Sequence, residues 1–210
     1  MKQYRKSLSA RDIIGSVFVK YDLSKEWREA IGPIGEGVSM IVWGDSGSGK
    51  TTFCLKLALE LCRFGKVYYN SMEQGKSDGF KEGLKRLDFN NIPASKVSFG
   101  NRDSWEDCKA KIRYNKARFV ILDSIDYLKF TAEDFKLLTE RYKKRTFIVV
   151  SHGDKYPKSA HADEIRYMVD VKIKLKHGVA TADSRLGSTK PMQVIPRKNA
   201  TGTLSIFKNQ

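Results

Sequence analysis

Apolar positions along the chain follow two alternating rhythms. Residues 38–43, Val-Ser-Met-Ile-Val-Trp, form a short apolar run that stops at Gly44. Such a run suits a strand buried on both faces of a parallel sheet. Over residues 51–64, Phe53, Cys54, Leu57, Ala58, Leu61 and Cys62 share one helical face, and Gly65 stands where a helix-closing glycine is expected. The alternation repeats. Residues 66–71, 97–99, 118–123 and 146–151 predict strands, and 118–123 is the strongest of these. Residues 78–88, with Phe80, Leu84 and Leu87 at helix spacing, predict a helix, as do the more polar 103–115 and the amphipathic 132–144.

The rhythm changes after Ser151. Residues 153–162 are polar and contain glycine and proline, which predicts a mobile loop, followed by a short helix over 163–169. Residues 170–176 alternate apolar and basic side chains, the pattern of a strand with one wet, positive face. Residues 192–195 and 204–207 extend the sheet antiparallel. There is no internal repeat. The sum is an α/β fold with a mostly parallel central sheet flanked by helices and a C-terminal antiparallel β extension. Residues 1–30 read as an N-terminal extension for docking or self-association, with Phe18 as a docking peg, and residues 31–210 as the core.

Composition narrows the function classes. A chain of 210 residues with 40% hydrophobic and 11% aromatic residues can build one sizeable core. No apolar window is long enough to span a membrane. The basic N-terminus is not followed by an apolar stretch, which predicts no secretory leader. Cys54, Cys62 and Cys108 form no C-x-x-C pair, which predicts a reduced, cytoplasmic protein without a cysteine metal site. The formal net charge is +15, and the basic excess rises from two in residues 1–50 to six in 151–210. A polyanion such as nucleic acid fits that balance, because phosphate neutralisation releases counterions. Solubility alone explains it too.

The chemistry concentrates in Gly44-Asp45-Ser46-Gly47-Ser48-Gly49-Lys50-Thr51, which satisfies G-x-x-x-x-G-K-S/T between a buried strand and an amphipathic helix. Glycines let successive N–H groups turn toward phosphate oxygens, and the helix start aims its positive end at the same place. Lys50 reaches the β- and γ-phosphates, the Thr51 hydroxyl ligates Mg²⁺, and Thr52 follows in the same turn. Asp123 ends the strongest strand, where a carboxylate on a neighbouring strand holds the Mg²⁺ shell. Glu73 follows the strand after the P-loop helix. It is either the carboxylate that polarises an attacking water or a solvated loop residue.

With these residues the chain resembles the RecA-like branch of P-loop ATPases over about residues 30–208. Within that branch it is similar to the RadA, RecA and KaiC cores and to short Sak-type phage single-strand annealing ATPases. Ile34-Gly35-Glu36-Gly37 looks like the turn that precedes the family's first strand, and residues 44–51 match its Walker A. Glu73 falls where the family places its catalytic glutamate. Leu122-Asp123-Ser124-Ile125 resembles its Walker B, and Ser151-His152-Gly153 its γ-phosphate sensor.

The resemblance implies an ATP- and Mg²⁺-dependent hydrolase that acts on DNA, preferably single-stranded, and assembles as a homo-oligomer. Ser184-Arg185-Leu186-Gly187 looks like the basic element that completes a neighbour's ATP site, although Asp183 and Ser184 replace the Lys-Asn of RadA. Arg185 inherits that role, with Lys190 as a second cation, or is a surface hairpin residue. His152 senses the γ-phosphate or is a packing residue; His161 and His177 read as surface histidines. Lys155 and Lys158 give the 153–162 loop a grip on phosphodiester. Tyr4, Tyr68, Tyr69 and Tyr156 are candidate stacking platforms, with Tyr68 and Tyr69 split between core and surface. A small-molecule kinase, a KaiC-like regulator and a helicase-type motor are the alternatives; a kinase needs an arginine-rich lid, and the basic residues of 102–118 show no clear lid spacing.

Overall fold

The computed structural model describes residues 7–196. Tyr4, the basic residues 1–6 and the 204–207 strand lie outside them. The predicted apolar runs become the centre of one sheet. β1 (Ser39–Gly44), β2 (Val67–Ser71), β4 (Phe119–Asp123) and β5 (Thr146–His152) are buried along almost their whole length. With β3 (Val97–Asn101), β6 (Val171–Lys176), β7 (Val179–Ser184) and β8 (Met192–Gln193) they form an eight-stranded sheet of order β3-β2-β4-β5-β1-β6-β7-β8. β1 to β6 run parallel, β7 pairs antiparallel with β6, and β8 pairs antiparallel with β7.

Continuous apolar strands need cover on both faces, and helices supply it. On one face lie α2 (Lys25–Ile31), α3 (Lys50–Leu61) and α4 (Asp78–Arg86), with Trp27 edge-on to Phe53 at 5.3 Å. The other face carries α5 (Trp105–Tyr114), α6 (Ile125–Leu128), α7 (Ala132–Arg141) and α8 (Ala160–Met168). A five-residue helix, α1 (Ala10–Ile14), precedes them with no buried residue. Tyr21, Leu23 and α2 are packed into the core, whereas residues 7–20 are exposed.

Several expectations are corrected. Tyr68 and Tyr69 do not divide between core and surface. They point to opposite faces of β2 and both are buried, because each face has its own helical layer. Gly65 does not close α3, which ends at Leu61; its missing side chain makes room for Arg118, whose Cβ would lie 3.0 Å from an added Cβ. The polar loop is shorter than predicted, because Ser159 caps α8 by accepting the Ala162 N–H at 3.1 Å. The wet positive face of β6 is half-buried: Lys172 pairs with Asp183 at 3.5 Å and Lys174 with Asp154 at 3.8 Å. β7 was not expected. Its small and polar residues carry little apolar signal, and it forms through a tight turn at His177 and Gly178, whose φ angles are 49° and 75°.

The sheet order also changes the setting of Asp123. β5 lies between β1 and β4, so the strand bearing Asp123 is not the neighbour of the P-loop strand. Two strand spacings, about 10 Å, separate them.

Candidate functional site

The site is built where the parallel strands end. The chain leaves β1 at Gly44, wraps through residues 45–49 and enters α3. Gly47 and Gly49 have φ angles of 74° and 103°, in the left-handed region that glycine tolerates. Gly44 is required for a different reason: a Cβ there would run into the Leu175 carbonyl and lie 2.6 Å from Ser48 Oγ. The loop therefore packs tightly on β6 while its N–H groups stay near the start of α3. Lys50 is buried, and its ammonium donates to the Gly44 and Asp45 carbonyls, each at 2.9 Å. An ammonium has three donors, so one remains for a phosphate oxygen. Ser48 Oγ is buried with no hydrogen-bond partner.

The gap between β1 and β4 is bridged from above by the first turn of α3. Thr51 Oγ1 donates to Asp123 Oδ2 at 3.2 Å, and the Tyr69 hydroxyl donates to the same oxygen at 2.6 Å. Burial raises the Asp123 pKa, the nearby Glu73 charge adds to it, and the bonds from Tyr69 and Thr51 oppose it. Burial and the Asp123 carboxylate also push the Tyr69 phenol well up, so it remains a donor. A hydroxyl and a carboxylate oxygen in contact form a hard-oxygen pair suited to Mg²⁺, and Lys50 with the loop N–H groups suits a triphosphate. The residues present therefore fit both groups.

The raised pKa has a stability consequence. The folded protein binds this proton more tightly than the unfolded chain, so stability falls as pH rises through the raised pKa and stays lower at neutral pH. Asp123→Asn removes the buried charge and keeps an oxygen acceptor. We expect it to stabilise the protein by about 1–3 kcal/mol in magnesium-free buffer at neutral pH. Chemical denaturation measures this, and a destabilised variant would contradict it.

Glu73 leaves the end of β2, where Met72 N–H donates to the Asp123 carbonyl at 2.5 Å. Its carboxylate is hydrogen-bonded to His152 Nε2 at the end of β5. His152 is itself fixed: its N–H donates to Asp126 Oδ2 at 2.7 Å, and the Ser151 hydroxyl donates to the same carboxylate at 3.0 Å. Tyr127 stands edge-on to the imidazole at 5.8 Å. Lys50, Thr51, Thr52, Asp123, Glu73 and His152 line one cavity of about 250 Å³ with Ser46, Gly47 and Gly49. Gln74 and Ile195 complete it. Asp45 borders an adjoining cavity that Tyr127, Tyr156 and Lys158 also line.

Asp126, Gln74 and Ile195 were not singled out, and Tyr69 was considered only as a stacking platform, not as a partner of Asp123. Tyr69 and Ile195 read as core or strand residues, and nothing local marks them otherwise. Asp126, three residues past Asp123, and Gln74, next to Glu73, were the polar clues. Two predicted cations lie elsewhere in the chain. Arg185 donates to the Tyr167 carbonyl at 3.0 Å, and Lys190 pairs with Glu29 at 3.2 Å. His161 and His177 line neither cavity.

No protein-family model matches the chain, and no curated protein matches it in sequence. Solved structures do. The chain is similar to the KaiC-like protein PH0186 from the hyperthermophilic archaeon Pyrococcus horikoshii OT3, with a TM-score of 0.61 and 16% identity over 83% of this chain and 93% of that one. It is also similar to the flagellar accessory protein FlaH from Methanocaldococcus jannaschii, with a TM-score of 0.64 and 18% identity over 83% and 92%. This likeness is one of fold. The chain has a RecA-like P-loop fold, with the mostly parallel sheet and antiparallel extension that its sequence implied.

Proposed function

We propose, from a RecA-like P-loop fold with this site at its sheet edge, that the protein is a Mg²⁺-dependent ATP hydrolase acting on single-stranded DNA. One observation carries the reading: residues from α3, β4, β5 and the segment after β2 converge on one cavity. Lys50 and the N–H groups of residues 44–52 hold the phosphates. Thr51 and Asp123 would hold Mg²⁺, which would supply charge neutralisation to the triphosphate. Glu73 orients a water in line with the γ-phosphorus and takes its proton as the new P–O bond forms and the bridging bond to the β-phosphate breaks. His152, bonded to Glu73 on one side and leading into residues 153–159 on the other, reports the γ-phosphate to that loop.

DNA binds beside this loop. Tyr127 and Tyr156 are exposed there, and Lys155 and Lys158 flank Tyr156. Self-association uses the exposed Val17-Phe18-Val19 segment, and Arg185 reaches a neighbour's site.

The test is the ATPase rate with and without single-stranded DNA across a range of protein concentration. Stimulation of about tenfold or more, steeper at higher protein concentration, is the expected result. Turnover that depends on protein concentration but not on DNA favours a KaiC-like, nucleotide-gated reading, which the likeness to the KaiC-like protein supports. The absence of turnover under every condition removes the hydrolase.

A further inference from the structure

Two segments with nearly the same sequence close α5 and α7. Arg113-Tyr114-Asn115-Lys116-Ala117-Arg118 leads into β4, and Arg141-Tyr142-Lys143-Lys144-Arg145 leads into β5. β4 and β5 are adjacent and parallel with Phe119 opposite Thr146, so the two segments lie side by side. The Thr146 N–H donates to the Arg118 carbonyl at 2.9 Å, and the Arg145 guanidinium bonds the Ile112 carbonyl. They occupy the N-terminal ends of the strands. The ATP cavity is at the C-terminal ends, about 15 Å away along strands of five to seven residues.

Between α5 and α7 runs a groove of about 470 Å³ lined by Trp105, Tyr114, Leu137 and Tyr142 with Arg113 and Arg141. Tyr114 is 72% exposed. Cations already lie on the aromatic faces: Arg113 over Tyr114 at 5.3 Å, and Arg145 and Arg141 over Tyr142 at 4.3 and 5.5 Å. The groove's carboxylates are engaged, Glu106 with Lys109 at 2.5 Å and Asp134 with Trp105 Nε1 at 2.9 Å. Arg113, Lys116, Arg141, Lys143, Lys144 and Arg145 have no carboxylate partner among the described residues. Each of the two helix ends contributes about half a negative charge, which six cations outweigh.

We infer that this groove and its basic edge bind single-stranded nucleic acid, on a surface separate from the nucleotide cavity and its loops. The cations match a phosphodiester backbone, and the exposed ring of Tyr114 offers a face to an unpaired base. An acidic peptide would satisfy the cations and leave the aromatic faces without a use.

The test is fluorescence anisotropy of the full chain with a labelled oligothymidylate of about twenty nucleotides, without ATP, over a salt series. Tyr114→Ala weakens binding about tenfold or more, and Tyr114→Phe keeps it within about twofold. The Arg141→Ala/Lys144→Ala double variant flattens the log–log salt slope by about 1.4, the release expected from two phosphate contacts. Lys81→Ala/Lys85→Ala, with the same loss of charge on α4, leaves affinity and slope unchanged. Thermal melts of every variant establish that it folds.

Three results overturn the inference: no binding by the wild-type chain, an equal loss in the α4 control, or equal competition by polyglutamate. Wild-type affinity in Tyr114→Ala together with loss in Tyr127→Ala or Tyr156→Ala also overturns it, and leaves the loop-side DNA reading in place. Loss confined to the groove variants upholds it even if the loop-side reading fails.

Discussion

Lys50→Ala weakens ATP binding by about a hundredfold or more. The ammonium is the one buried cation among the described residues of the P-loop, and its charge-assisted bonds to phosphate oxygens are each worth about 1.5–3 kcal/mol. The loss is larger than the contact alone. Lys50 Nζ also ties the Gly44 and Asp45 carbonyls together, so alanine removes the clamp that shapes the loop's first turn. Stability changes little by comparison, because α3 keeps Phe53, Cys54, Leu57 and Leu61 in the core. Isothermal titration calorimetry with a non-hydrolysable ATP analogue measures the effect. Affinity equal to that of the unaltered protein would take Lys50, and with it the P-loop, out of the proposed mechanism.

Glu73→Gln leaves ATP affinity within about threefold and lowers turnover by about 10²–10⁴-fold, the range over which a positioned general base acts. Glutamine is the informative replacement. It preserves size and can still hydrogen-bond His152 Nε2, so the cavity wall and the connection to β5 stay in place. What disappears is the carboxylate that accepts the water's proton. Single-turnover hydrolysis separates this from slower product release. Unchanged turnover in the Glu73→Gln protein would make Glu73 a loop residue and leave the water without a base.

The strand residues that carry the site were legible because their signal is local and continuous. Residues 38–43 and 118–123 are apolar on both sides of the strand, which happens only where helices cover both faces. The P-loop was legible for the same reason: a sharp turn with close backbone approach needs glycine at fixed spacing, and that need is written in eight consecutive residues. Tyr69 was not legible. A buried tyrosine in a strand has the same sequence signature whether its hydroxyl meets a carbonyl or, as here, Asp123, 54 residues away. β7 escaped for want of apolar side chains, and Ile195 because a lone isoleucine near the end of a strand signals packing only.

The sequence by itself determined the alternation of strands and helices, the phosphate-binding turn, and which acidic residues end up at strand termini. Each depends on neighbours within one turn or one strand. The tertiary structure alone decided that β5 separates β1 from β4, that α3 therefore carries Thr51 across to Asp123, and that His152 meets Glu73. It also set Arg185 against Tyr167 and brought the two arginine-tyrosine segments side by side. Those facts follow from which strand pairs with which. Pairing is settled by the burial of whole faces at once, and it leaves no periodic trace in any single stretch of chain.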